Sequence, residues 1–256
     1  MIEKWKTPVW PVTGRKPRTV YVYLPEAAMK NKKRRFPVLY MFDGHNVFFD
    51  EDATYGKSWG MGEYLDKTRT RLIVVAVDCN HRPPHGRLNE YSPYTFDDPH
   101  FGHITNYGRR YMRWMTETLK PMIDARYPTL PGRETTWIAG SSMGGLMSLF
   151  AVSEFNHVFS RAAALSPSVW AGNCRMADTI HRAKFAPDTV VYMDYGSREL
   201  EGQEYMRGYY LRCVEALMNR GVYVTSRVVP GGEHCEASWE RQIPFFLPTL
   251  MYKGGN

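Results

Sequence analysis

The chain lacks any apolar stretch long enough to cross a bilayer. Its longest runs are about six to eight residues, against the roughly 20 that a membrane-spanning helix needs. The opening residues, MIEKWKTPVWPV, hold no hydrophobic leader core, so a cleaved export signal is not expected and a cytoplasmic location is. Cysteine is scarce: Cys79, Cys174, Cys213 and Cys235 are widely spaced, with no C-x-x-C pair. That excludes a zinc ribbon, a thioredoxin-type redox pair and a small disulfide scaffold, and leaves four reduced thiols as the expectation. No repeat, low-complexity tract or linker divides the 256 residues, which are read as one domain, 1–256. Neither charge sign is missing: 33 basic residues face 26 acidic ones, and residues 30–35 (KNKKRR) supply five of the former. That run lies between two strand-like segments without an aromatic-rich basic motif. A solvated loop is therefore expected, with neither nucleic acid nor a membrane as partner.

What is present is an alternation. Residues 19–24 (TVYVYL), 37–42 (PVLYMF), 72–77 (LIVVAV), 135–139 (TTWIA), 189–193 (TVVYM) and 222–229 (VYVTSRVV) are rich in β-branched and aromatic residues. Several are near-continuous apolar runs, as strands covered on both faces require. Helical patterns lie between them. The cleanest spans residues 202–220, where Tyr205, Met206, Tyr209, Tyr210, Cys213, Val214, Leu217 and Met218 form a double i, i+4 stripe read as core packing, with Gly221 placed as a C-cap glycine. Others are expected at 106–127 with a kink or break at Pro121, after Gly144, and at 238–251 with an interruption at Pro244. Strands alternating with helices predict an α/β fold with a mainly parallel central sheet and helices on both faces.

Residues 80–105 (NHRPPHGRLNEYSPYTFDDPHFGHIT) resist this scheme, with Pro83, Pro84, Pro93 and Pro99 and no sustained period. Loops of that length in compact domains commonly serve as lids or binding segments. The segment carries His81, His85, His100 and His103. The spacings His81-x-x-x-His85 and His100-x-x-His103 could hold a metal. Pro83 and Pro84 spoil a helical presentation of the first pair, and an irregular polar loop near a site is the expectation.

The strongest chemical signal is Gly140-Ser141-Ser142-Met143-Gly144, a G-x-S-x-G pentapeptide. A nucleophile elbow needs a strand before it and a helix after it, so that the serine hydroxyl is left exposed above the sheet. Ser142 meets both demands. A second match, Gly56-Lys57-Ser58-Trp59-Gly60, follows no strand and is rejected. A serine hydroxyl needs a base, and the base an orienting carboxylate, in the chain order serine, acid, histidine. Of His157, His181 and His234, only His234 sits on a glycine-rich loop directly after a strand. Its acid should follow the strand at 189–193. Glu199 is favoured and Asp194 stays open, while Glu201 and Glu204 look like first-turn helix acids.

The phrases VLYMFDGHNVF, IAGSSMGGL, YGSREL and PGGEHCEASWERQIPFFL together resemble the Putative esterase family of α/β-hydrolases, which includes esterase D, siderophore esterases, feruloyl and acetyl-xylan esterases and mycolyltransferases. The similarity runs from about residue 18 to 252. It implies Ser142 as nucleophile, His234 as general base and Glu199 as its orienter. It also implies an oxyanion hole made by the backbone N–H groups of Met143 and His45, and no metal or organic cofactor. The implied activity is hydrolysis of a small-molecule or sugar-linked acyl ester through an acyl-enzyme. Acyl transfer on the same three residues is the alternative, and a non-catalytic binding module the third reading. Trp59, Tyr91, Tyr94 and Trp170 are candidate pocket walls or ordinary packing residues.

Overall fold

The computed structural model describes residues 1–31, 33–173, 175–202 and 204–252. Lys32 of the basic run, Gln203 of the expected helix and Cys174 lie outside the described residues. The strands are β1 (Ile2–Pro8), β2 (Pro17–Tyr23), β3 (Val38–Met41), β4 (Ile73–Val77), β5 (Phe96–Asp98), β6 (Gly102–Ile104), β7 (Thr136–Ser141), β8 (Arg161–Leu165), β9 (Val190–Gly196) and β10 (Tyr223–Val229). Eight of them form one sheet in the order β1-β2-β4-β3-β7-β8-β9-β10. The pairs β1/β2 and β2/β4 are antiparallel, and every pair from β4 to β10 is parallel. The mainly parallel α/β fold read from the sequence is the observed one.

The apolar runs occupy the middle of this sheet. Every residue of β3, β4 and β7 is buried, and two apolar layers, one around Phe150 and Tyr111 and one around Trp59 and Phe246, cover its faces. β10 departs from the expectation of strands covered on both sides. It is the edge strand, and none of its residues is fully buried. Two strands of this sheet escaped the sequence reading, besides the short pair β5 and β6. β8 reads RAAAL, and alanine carries little strand preference; β1 carries Glu3, Lys4 and Lys6 and looks like polar surface.

The long helical stripe folds as helix Tyr205–Asn219, ended by left-handed Gly221 (φ 73°). The Gly221 and Val222 N–H groups donate to the carbonyls of Met218 and Leu217, as in a Schellman cap. Only Tyr210, Cys213, Ala216 and Leu217 of this helix are buried, so reading the whole stripe as core packing was too broad. Around Pro121 the chain runs as helix Gly108–Trp114, a widened π turn over Met115–Leu119, and helix Lys120–Arg126. The π turn precedes the proline, whose missing N–H it accommodates without ending the helix. Near the C-terminus the break falls before Pro244, which opens helix Ile243–Met251 instead of interrupting it.

Residues 80–105 are not structureless. They hold the short helix Gly86–Glu90 and the antiparallel hairpin β5/β6. The anchor is Glu90, fully buried and held by both Arg18 guanidinium nitrogens at 2.9 and 2.8 Å.

Candidate active site

Parallel pairing puts the carboxyl ends of β3, β4, β7, β8, β9 and β10 on one edge of the sheet, where ligands of open α/β sheets bind. The segments that follow these strands carry Asp43 to Asn46, Asp78 to His81, Ser142, Ser166 to Ser168, Glu199 and His234 respectively. The sequence reading and the topology thus meet at the same edge.

Ser142 has φ 58° and ψ −123°, a left-handed backbone that a non-glycine residue adopts only when its surroundings impose it. Its N–H donates to the Leu165 carbonyl at 2.9 Å, and its carbonyl accepts from Ser168 N–H at 3.0 Å. A Cβ on Gly144 would meet Phe42 Cβ at 3.0 Å, so a side chain there would have to push Phe42 aside. The Ser142 hydroxyl lies 3.3 Å from Ser168 Oγ, and among the described residues it has no hydrogen bond to His234 in this conformation. Ser58, by contrast, is buried, with its N–H and hydroxyl both donating to Asp50 Oδ1 at 2.7 Å; it pins a turn.

His234 Nδ1 lies 2.8 Å from Glu199 Oε2. Glu199 Oε1 accepts from the Gly196 N–H at 2.7 Å and from Ser166 Oγ at 2.6 Å. Burial pushes the Glu199 carboxyl up, but the bonds from His234, Ser166 and Gly196 outweigh it and hold the group below its ordinary value. Asp194 is elsewhere. It is 1% exposed and accepts from Tyr192 Oη at 2.7 Å, and burial raises its carboxyl to about 7. The acid turn and the histidine loop are tied together directly, by Arg198 N–H to the Gly232 carbonyl at 3.1 Å and by Gly231 N–H to Ser197 Oγ at 2.9 Å.

The turn after β3 is a single 3₁₀ turn, Gly44–Asn46, entered through left-handed Asp43 (φ 53°). A Cβ on Gly44 would fall 2.8 Å from the backbone of Ala76 and Val77, so only glycine lets the turn sit this close to β4. Asp43 is gripped at both oxygens by Arg87, at 2.6 and 2.7 Å, and its N–H donates to Tyr91 Oη at 3.1 Å. Asn46 Nδ2 donates to Glu236 Oε1 at 2.9 Å, joining this turn to the segment just after His234. His45 and Met143 each lie in the first turn of a helical segment, where backbone N–H groups have no intrahelical acceptor.

The model of the family described as "Putative esterase" matches residues 12–250. The chain belongs to the Putative esterase family. It is a carboxylic-ester hydrolase with an α/β-hydrolase fold. A protein of Bacillus subtilis (strain 168), named "Uncharacterized protein YbbA", is 26% identical over 186 residues, which is 71% of this chain and 69% of that one. An IroE-like serine hydrolase from Shewanella oneidensis superposes with a TM-score of 0.71 at 18% identity, covering 93% of this chain and 76% of the other. The ferulic acid esterase of Anaeromyces mucronatus, solved in complex with ferulic acid, gives 0.66 at 20% identity over 98% and 90%. At these identities the likeness to the two structures is one of fold.

In this esterase a cleft of about 750 Å³ holds Ser142, His45, Asp43, His81, Arg87, Glu236 and His234. A second, of about 800 Å³, is lined by Glu199, Trp170, Tyr195, Tyr205 and Tyr209. Both are bordered by His100, Phe101 and His234, so the histidine stands between them. Of the four aromatic candidates only Trp170 lines a cleft, near-parallel to Phe101 (ring centroids 6.4 Å apart, planes at 20°). Trp59, Tyr91 and Tyr94 are buried packing residues. Phe101 belongs to the hairpin of residues 80–105, which thereby reaches the site. Sequence reasoning missed Ser166, Ser168, Trp239, Arg87 and Asn46. Ser166 and Ser168 could have been found had β8 been recognised, since residues just past a parallel strand face the ligand edge. No helix is long and apolar enough to cross a membrane among the described residues.

Proposed function

We propose that this esterase hydrolyses its substrate through an acyl-enzyme, with Ser142 as nucleophile, His234 as general base and Glu199 as the carboxylate that orients it. The observation that carries the reading is the 2.8 Å contact of His234 Nδ1 with Glu199 Oε2 in the cleft that also holds Ser142. With Nδ1–H committed to Glu199, Nε2 is the nitrogen left to take a proton. The Ser142 side chain must turn away from Ser168 to offer Oγ to that nitrogen. Oγ then adds to the ester carbonyl carbon as its proton moves to Nε2. The negative oxygen of the tetrahedral intermediate is received by the N–H groups of Met143 and His45, as first-turn amides suit. Collapse expels the alcohol, which takes the proton back from His234. Water, deprotonated by the same nitrogen, then releases the acid and restores Ser142.

Phe101 and Trp170 make a flat aromatic wall beside His234 that suits a planar acyl or alcohol group, in a small-molecule or sugar-linked ester. The segment 80–105 contributes to substrate binding, and the whole chain works as one catalytic domain in the cytoplasm. Hydrolysis of p-nitrophenyl acetate, butyrate and octanoate and of a feruloyl ester, with Ser142→Ala alongside, tests the proposal. Turnover by the wild type and a loss of about 10⁶-fold in kcat for the variant is expected. A variant that keeps a tenth of the activity, or a fluorophosphonate that labels another serine, overturns it.

A further inference from the structure

One cluster of side chains in the wall of the Ser142 cleft has no part in this ester chemistry. Asp78 Oδ1 lies 2.7 Å from His45 Nδ1 and 2.7 Å from His81 Nε2. Cys79 Sγ is 3.9 Å from the His81 ring, and the four ligand atoms lie within 4.8 Å of one another. His45 comes from the turn after β3 and the other three from the segment after β4. The sequence offered His81 with His85 and His100 with His103. Among the described residues the fold instead unites His81 with a histidine 36 positions earlier.

The orientation of His45 is the telling feature. The residue is 8% exposed, and its Nε2 pairs with Thr54 Oγ1 at 3.0 Å. Its Nδ1 is buried and, although it approaches Asp78 Oδ1 to 2.7 Å, it makes no well-formed hydrogen bond. In the tautomer that donates from Nε2 to Thr54, the Nδ1 lone pair faces a carboxylate oxygen, an arrangement that a cation between them would relieve. The Thr54 contact is also what a metal-bound histidine makes through its other nitrogen.

We infer that His45 Nδ1, Asp78 Oδ1 and His81 Nε2 form a binding site for a divalent transition cation of the Zn²⁺ type, with Cys79 Sγ beside it. Two imidazoles and a carboxylate favour Zn²⁺, Ni²⁺ or Cu²⁺ over Mg²⁺ or Ca²⁺, which prefer all-oxygen shells. Bonds of about 2.0–2.2 Å place the ligands of a tetrahedral site roughly 3.3 Å apart. Both 2.7 Å contacts must therefore lengthen, the one to His81 by movement of its side chain, which is 58% exposed, and the one to His45 by a turn of the Asp78 carboxylate. The ion would fix the imidazole of the residue whose backbone N–H we assign to the oxyanion hole, while taking no part in the chemical steps.

Calorimetric titration of the full, tag-free and chelator-stripped chain with Zn²⁺ tests this. Saturation at one ion per chain is expected, unaffected by excess Mg²⁺. His81→Ala and Asp78→Asn should each weaken binding tenfold or more, while His103→Ala, on the hairpin, leaves it unchanged. Thermal melting of the stripped proteins checks that the variants remain folded, and exposed His81 is the safer of the two. No saturable binding by the wild type, Mg²⁺ binding of equal strength, or wild-type affinity in a folded His81→Ala protein overturns the site.

Discussion

Trp239 Nε1 donates a hydrogen bond to Ser166 Oγ at 2.9 Å, and Ser166 Oγ donates its own hydrogen to Glu199 Oε1 at 2.6 Å. The Trp239 indole, on the short helix Glu236–Glu240, thus fixes, one bond removed, the carboxylate that faces His234. The same indole lies edge-on to the His234 ring at 5.1 Å. Glu199 and His234 are set by one packing unit, built from Ser166 after β8 and Trp239 after β10.

Ser166→Ala removes the donor to Glu199 and leaves a buried indole N–H unmet. A buried polar group without a partner costs about 1–3 kcal/mol, so a fall in melting temperature is expected together with a roughly tenfold fall in kcat and little change in KM. Wild-type melting and turnover in this variant would show that the linkage has no role.

Glu199→Gln and Asp194→Asn separate the two acids considered for the triad. An amide at 199 cannot stabilise the imidazolium or hold the correct tautomer, and a loss on the order of 10⁴-fold in kcat is expected. Asp194→Asn should cost less than tenfold. Steady-state kinetics of the two variants decide, and a reversed order would move the acid role to Asp194.

Asp194 also sets a pH dependence of stability. Its neighbours are Tyr192, Glu199 and Arg227, and burial raises its carboxyl to about 7 in the folded chain, against about 3.8 ordinarily. The folded state therefore binds the proton more tightly than the unfolded state does. Stability from this group is complete below pH of about 4 and declines as pH rises towards 7, by roughly 4 kcal/mol in all. Glu199, shifted the opposite way, acts only in the acidic range, where its contribution is lost as pH falls. Denaturant melts between pH 5 and 8 should show wild-type stability falling, and Asp194→Asn should flatten the curve. A wild-type curve that rises over this interval would contradict the assignment.

Gly44→Ala tests the oxyanion turn without touching a reacting side chain. The added Cβ would meet the backbone of Ala76 and Val77 at 2.8 Å, so the turn must shift. Displacing one oxyanion donor typically costs 10²–10³ in kcat. That loss is expected here, with labelling of Ser142 by a fluorophosphonate much slowed. Unchanged kcat in a folded variant would remove His45 from the role.

The parallel sheet and its strand-to-loop positions were legible because buried central strands are largely apolar and bounded by turn residues, as β3 and β4 are throughout and β7 and β9 over most of their length. Ser142 was legible because an elbow forces small residues around one serine. Glu199 was favoured on its distance from the strand end, and the structure brings it, and not Asp194, to His234. The contacts of Ser166, Arg87 and Asn46 were not legible. Asn46 meets Glu236 across 190 positions and Arg87 meets Asp43 across 44, and no local pattern encodes such pairings. The helical stripe misled in the other direction: periodicity marks one face of helix Tyr205–Asn219 without saying that its first turns look into a cleft, as Tyr205, Met206 and Tyr209 do.

The two halves of the site rest on foundations of unequal strength. Ser142 rises from β7, a strand buried at every residue in the middle of the sheet, whereas His234 hangs from β10, the half-open edge. Edge segments with few buried contacts open at lower free energy than the core. Under mild denaturation His234 would leave its station while the turn at Ser142 is still intact. The enzyme would then fall silent before it unfolds, and would recover by re-seating one strand.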